Sequence, residues 1–86
     1  MQHVIVASLS GLHSRPAAII STAARDSGAS VTLSKLGSKQ VNLTSTLALL
    51  SLGVAHGEEV TLTVEGEEAA RILAELAALI EKNLDN

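Results

Sequence analysis

The sequence predicts an α+β fold: an open-faced two-layer sandwich, with a four-stranded antiparallel sheet carrying three helices on one face, in the order β-α-β-β-α-β-α. Three observations carry this reading. Runs of alternating polarity stand at residues 3–8, 30–36, 40–43 and 58–65, and their outward positions are largely Thr and Ser. Such a sheet keeps one wet face, an antiparallel trait, and needs a cover for the other. Between and after the runs lie three stretches of helix formers with apolar stripes. Lastly, 47% of the residues are hydrophobic but none is Phe, Tyr or Trp, so a folded core must be built from Leu, Ile, Val and Ala.

Each element has its own signal. In residues 3–8, Val4 and Val6 alternate with Ile5, which faces the other way. A helix over residues 15–26 buries Ile20, Ala23 and Ala24, and Asp26-Ser27-Gly28 stops it, with Gly28 able to take the left-handed position. Residues 30–36 turn Val31 and Leu33 inward and Thr32 and Ser34 outward. Gly37-Ser38-Lys39 is then a hairpin turn, and Val41 and Leu43 point inward on the return. Residues 46–52 form a helix of one to two turns with Ser45, or Thr44, as its N-cap. The strand over residues 58–65 sends Val60, Leu62 and Val64 inward. The longest helix is predicted over residues 66–84, with Ala69, Leu73, Leu76 and Ile80 as its stripe, Ile72 and Leu79 widening it, Glu67 and Glu68 in its first turn and Lys82 near its end.

Length and composition bound what such a chain does. Its 86 residues make a single domain (1–86), enough for one two-layer core and too few for a lobed enzyme with a deep cleft. A net charge of −3 and the lack of aromatic platforms argue against nucleic-acid binding. With no Cys there is neither a disulfide nor a thiolate metal site, and His3, His13 and His56 lie too far apart for a metal-binding pair. Gly37-Ser38-Lys39 lacks the second glycine and the spacing of a nucleotide-binding loop. No apolar run approaches the ~20 residues of a membrane span, and the first residues read as a strand rather than a leader. The expectation is a cytoplasmic protein with no membrane insertion.

The chemistry gathers at residues 11–18, Gly-Leu-His-Ser-Arg-Pro-Ala-Ala, between the first strand and the first helix. Pro16 suits the first turn of a helix, where its missing N–H costs nothing and its φ is already set. His13 therefore stands at the mouth of a helix, where amides and the positive end of the dipole favour an anion. Arg15 adds a fixed charge that can fork onto phosphate oxygens. Position alone also fits a solvated loop histidine; Gly11 and Arg15-Pro16 favour an imidazole that meets a phosphate.

This segment resembles the active-site motif G-(L/I)-H-x-R-P-A of the HPr family, the histidine phosphocarriers of the phosphoenolpyruvate-dependent sugar phosphotransferase system. A second similarity lies in Val41-Asn42-Leu43-Thr44-Ser45 followed by Leu50-Ser51-Leu52-Gly53-Val54, which resembles the family's regulatory-serine segment and its S-L-G-(I/V) ending. The element order matches over nearly the whole chain. The resemblance implies that His13 is phosphorylated on Nδ1, that Arg15 and the helix-start residues Pro16 and Ala17 support the phosphoryl group, and that Ser10 lies close by. It further implies that Leu12, Leu47 and Leu50 dock Enzyme I and the sugar-specific IIA proteins, and that Ser45 is the target of an HPr kinase/phosphorylase. Thr44 departs from a common Lys and Thr46 from a common aliphatic residue. From the residues alone, Ser45 is equally an N-cap.

Imidazole suits a carrier because it is nucleophilic near neutrality, with an unperturbed pKa of about 6.5, and forms a reactive N–P bond. In-line transfer between two docked proteins needs positioning and charge neutralisation rather than a metal, a nucleotide or another cofactor. The chain is expected to work as a monomeric carrier, not as an enzyme by itself. Other readings stand beside it: a carrier in a nitrogen-linked or regulatory phosphorelay, a regulatory binding protein, and a small nucleic-acid binder. Family members of the regulatory kind lack the active-site histidine, and the last would need the aromatic and basic residues this chain lacks. A self-contained hydrolase would need a second catalytic group beside His13, and none is seen.

Overall fold

Seven elements follow in the predicted order in a computed structural model, which describes residues 1–8, 11–12 and 14–82. They are β1 (Gln2–Ile5), α1 (Ser14–Ser27), β2 (Ser30–Lys35), β3 (Val41–Asn42), α2 (Thr46–Ser51), β4 (Glu59–Glu65) and α3 (Ala69–Ile80). The strands form one antiparallel sheet in the order β1-β4-β2-β3. Register explains why only one face is covered. Val4 lies opposite Val60, Leu33 opposite Leu62 and Val31 opposite Val64, so their apolar side chains share the face on which the helices pack. His3 opposite Thr61, and Thr32 opposite Thr63, fall on the other face. A slip of one residue would exchange the two sets, which is what fixes the register.

β1 and β3 are each two residues shorter than their alternating patterns, for traceable reasons. After Ile5 the chain leaves the ladder: the Val6 N–H donates to Glu58 O (3.1 Å), but the Ala7 N–H turns to Ile80 O (3.2 Å) at the end of α3. On β3, Asn42 ends the strand with an Asx turn, its Oδ1 accepting from the Thr44 N–H at 3.0 Å and the Thr44 hydroxyl at 2.7 Å. Leu43 is still tied to Val31 O and is fully buried. The hairpin after β2 is closed by Ser38, whose hydroxyl donates to Lys35 O (2.9 Å) and accepts from the Lys35 N–H (3.1 Å). Leu36 is thereby left on the turn in full contact with solvent.

α1 buries Pro16, Ala17, Ile20, Ser21 and Ala24, a stripe that extends the predicted one towards the N-terminus, with Ala23 half-buried at its edge. It stops at Gly28, as predicted, whose φ of +72° admits glycine readily and whose N–H donates to Arg25 O. α3 begins later than predicted. Glu67 and Glu68 precede it, and Glu68 occupies the cap position with no side-chain bond to the helix amides. Its carboxylate is held instead by Arg71 at 2.8 Å, and Arg71 also meets Glu75 at 2.9 Å. The hydrogen bond from Arg71, and secondarily its charge, hold the Glu68 carboxyl below its ordinary pKa. At the other end Lys82 lies past the last helical residue, and residues 83–86 fall outside the described ones. The buried line of α3 runs through Ile72, Leu76, Ala77 and Ile80, with Leu73 and Leu79 at its flanks.

Candidate functional site

The segment that leads into α1 is fixed by two backbone hydrogen bonds. The Gly11 N–H donates to Ser8 O at 2.9 Å, and the Leu12 N–H to Val54 O at 3.0 Å. Gly11 is required twice over. Its φ is +75°, and a Cβ there would run into the Val54 carbonyl and lie 2.9 Å from Ala55 Cα. α1 then opens at Ser14, with Pro16 and Ala17 buried in its first turn and Arg15 exposed beside them. No acidic residue stands in that turn, so the positive end of the dipole of a 14-residue helix and a guanidinium share one exposed corner. This arrangement suits an anion, and phosphate above all. His13 and Ser10, both predicted to belong to the site, lie outside the described residues.

Leu12 requires a correction. It was expected on a docking surface, yet it is 3% exposed and part of the core cluster. The bond from its N–H to Val54 draws the segment against the α2–β4 loop, and the side chain follows inward. The sequence could not show this, because the partner atom lies far along the chain. The same holds for Val54, Lys35 and Glu58, which the sequence reading missed. The Lys35 ammonium donates to Gly53 O at 3.1 Å, and Glu58 Oε1 accepts from the Ala55 N–H at 2.9 Å. One signal was available: Lys35 interrupts an inward-facing series that begins Val31, Leu33.

α2 lies against α1, where the Ser21 and Thr46 hydroxyls share a 2.6 Å hydrogen bond. Thr46 thus gains a buried polar partner. Ser45 is the N-cap, its Oγ accepting from the Ala48 N–H at 3.2 Å. The leucines of this region divide between core and surface. Leu49 is wholly buried and Leu52 nearly so, whereas Leu47 is 80% exposed and Leu50 is half-buried at the edge of the core. On α1, Ile19 is also exposed.

Comparison with known proteins agrees with this picture. A family model described as the PTS HPr component phosphorylation site matches residues 1–82. The chain is 43% identical over 75 residues to the phosphocarrier protein HPr of Streptomyces coelicolor, covering 87% of this chain and 81% of the relative. It is 40% identical over 83 residues to the HPr-like protein Crh of Bacillus subtilis, covering 96% of each. The crystal structure of an HPr from Bacillus anthracis superposes with a TM-score of 0.86 at 35% identity, over 92% of this chain and 93% of that one. A four-stranded antiparallel sheet with three helices is thus shared with known HPr structures, and the chain belongs to the HPr family of the phosphotransferase system.

Proposed function

We propose that the chain accepts a phosphoryl group on His13 Nδ1 from phosphorylated Enzyme I and passes it to sugar-specific IIA proteins in the cytoplasm. The observation that carries this reading is the exposed corner at the start of α1, where Arg15 stands beside the helix dipole on a segment pinned to Val54. In the transfer, the Nδ1 lone pair forms a bond to phosphorus as the bond to the donor breaks in line. Arg15 offsets charge on the phosphoryl oxygens. Pro16 and Ala17, both buried, hold the first turn of α1 in place beneath it. The return step is the same exchange towards the next acceptor, so the site must hold the group without sealing it from a partner. Leu47, with Leu50 at its foot, supplies an apolar contact for both partners. Among the described residues no helix is long and apolar enough to cross a membrane.

The 40% identity over 96% of both chains to Crh, described as the Bacillus subtilis catabolite repression HPr, supports a second reading, in which the carrier serves a regulatory relay rather than sugar uptake. One experiment separates these readings. The chain is incubated with Enzyme I and phosphoenolpyruvate, its mass is measured under non-acidic conditions, and it is then presented with a panel of IIA proteins. A single phosphoryl group that is absent in His13→Ala and moves to a sugar-specific IIA protein supports the carrier in sugar uptake. Undiminished labelling of His13→Ala removes the assignment of His13, and labelling without onward transfer favours the regulatory relay.

A further inference from the structure

Lys35 occupies a position where the sheet calls for an apolar side chain. Along β2 the inward residues are Val31, Leu33 and then Lys35, and Lys35 lies directly opposite the buried Val60 of β4. A charge on the helix-covered side of a sheet is costly unless its head reaches polar partners. Here the ammonium donates to Gly53 O at 3.1 Å and stands 3.7 Å from Glu58 Oε2, the two side chains being 28% and 37% exposed. The other oxygen of Glu58 accepts from the Ala55 N–H at 2.9 Å. The pair therefore grips the chain on both sides of Val54, at Gly53 and at Ala55. Val54 itself is buried, and its carbonyl receives the Leu12 N–H and lies against Gly11.

We propose that Lys35 and Glu58 are positioning residues for phosphoryl transfer, a clamp that sets the Val54 carbonyl and through it the backbone immediately before His13. The inference rests on the phosphoryl-acceptor reading above. An acceptor nitrogen must meet phosphorus in line, so a small displacement of its backbone lowers the transfer rate without touching the surface that binds the donor. Lys35 and Glu58 act at one remove, through two carbonyls and two amides. Neither residue is part of the docking leucines or of the anion corner.

The test uses the full chain with Lys35→Met, Lys35→Arg, Glu58→Ala and the double variant Lys35→Met/Glu58→Ala. Two readouts are taken: amide hydrogen exchange at Leu12 against Leu62 in the central strand, and the kinetics of phosphorylation by Enzyme I. In Lys35→Met the Leu12 amide is expected to exchange about tenfold faster while Leu62 is unchanged. The kcat is expected to fall by about tenfold, with KM held within about twofold. Lys35→Arg restores both, and the double variant loses no more than the worse single one, since the two residues act as one unit. Wild-type kinetics in Lys35→Met, slower transfer with unchanged Leu12 exchange, or Leu12 and Leu62 accelerating together would each overturn the clamp. If the parent chain takes no phosphoryl group from Enzyme I, the acceptor reading itself fails and the clamp's role in transfer falls with it, whatever Leu12 exchange shows.

Discussion

The main-chain N–H of Leu12 donates to the carbonyl of Val54 at 3.0 Å, joining the segment before α1 to the loop between α2 and β4. Much of the site follows from this bond. It brings Leu12 into the core, allows only glycine at position 11, and places the exposed Arg15 corner near the end of the chain stretch that carries Leu47 and Leu50. The exposed residues around it form the surface proposed for chemistry and docking, while the buried ones hold the frame.

Gly11 gives the most direct test of that frame. Gly11→Ala pays for a positive φ and also for a collision with the Val54 carbonyl. At Gly37 the φ is +80°, yet a Cβ would meet nothing within 4 Å. Gly37→Ala should therefore cost about 1–2 kcal/mol, the conformational term alone. Gly11→Ala should cost about 1 kcal/mol more, because backbone has to move. Denaturant melts of the two variants decide the matter; equal losses would show that the close approach carries no energy.

Arg15 is expected to matter for transfer and little for folding. It is exposed in the first turn of α1, on the side away from Pro16, Ala17 and Ile20. Arg15→Ala should slow phosphoryl transfer from Enzyme I by about tenfold or more, the scale of one charge-assisted contact worth ~1.5–3 kcal/mol. Its melting should stay within about 0.5 kcal/mol of the parent. Stopped-flow or quench-flow transfer rates equal to wild type would contradict the role given to the guanidinium.

Local signals in the sequence translated well into structure where the deciding contact was also local. Alternation placed Val31, Leu33, Val60, Leu62 and Val64 on the core face, Gly28 stopped α1, and Ser45 capped α2. Where a distant partner decided the outcome, the sequence was silent or misleading. Glu67 and Glu68 looked like first-turn acids, but Arg71 captures Glu68 and the helix starts after them. Leu12 looked like a loop leucine for docking until Val54 drew it inward. Lys35 showed only a break in an apolar series; its purpose depends on Gly53 and Glu58, which no periodicity connects to it.

Ser45 tests the cap of α2. Its Oγ accepts from the Ala48 N–H, and a helix of six residues has little stability of its own to spare. Ser45→Ala should lower stability by about 1 kcal/mol, whereas Ser45→Asp, which keeps an acceptor oxygen, should recover most of it. Equal melting of Ser45→Ala and the parent would mean that the cap contributes nothing, and that packing of Leu49 alone holds the helix.

Leu47 and Leu49, two residues apart on α2, separate docking from folding. Leu49 is wholly buried, so Leu49→Ala should cost about 2–5 kcal/mol through lost burial and the cavity left behind. Leu47 is 80% exposed and makes no comparable contribution to the core. Leu47→Glu should therefore melt within about 0.5 kcal/mol of the parent. An apolar side chain held out in solvent beside a polar-capped helix is nevertheless a natural anchor for a partner, and a carboxylate there must be desolvated or repelled on docking. Binding of Leu47→Glu to Enzyme I should weaken by about tenfold or more, a loss of about 1.4 kcal/mol. The substitution touches neither the Leu12–Val54 bond nor the proposed acceptor at position 13, so kcat at saturating Enzyme I should hold. A thermal melt beside a binding titration reads both quantities: unchanged affinity would remove Leu47 from the docking surface, and a collapse in melting would make it part of the core.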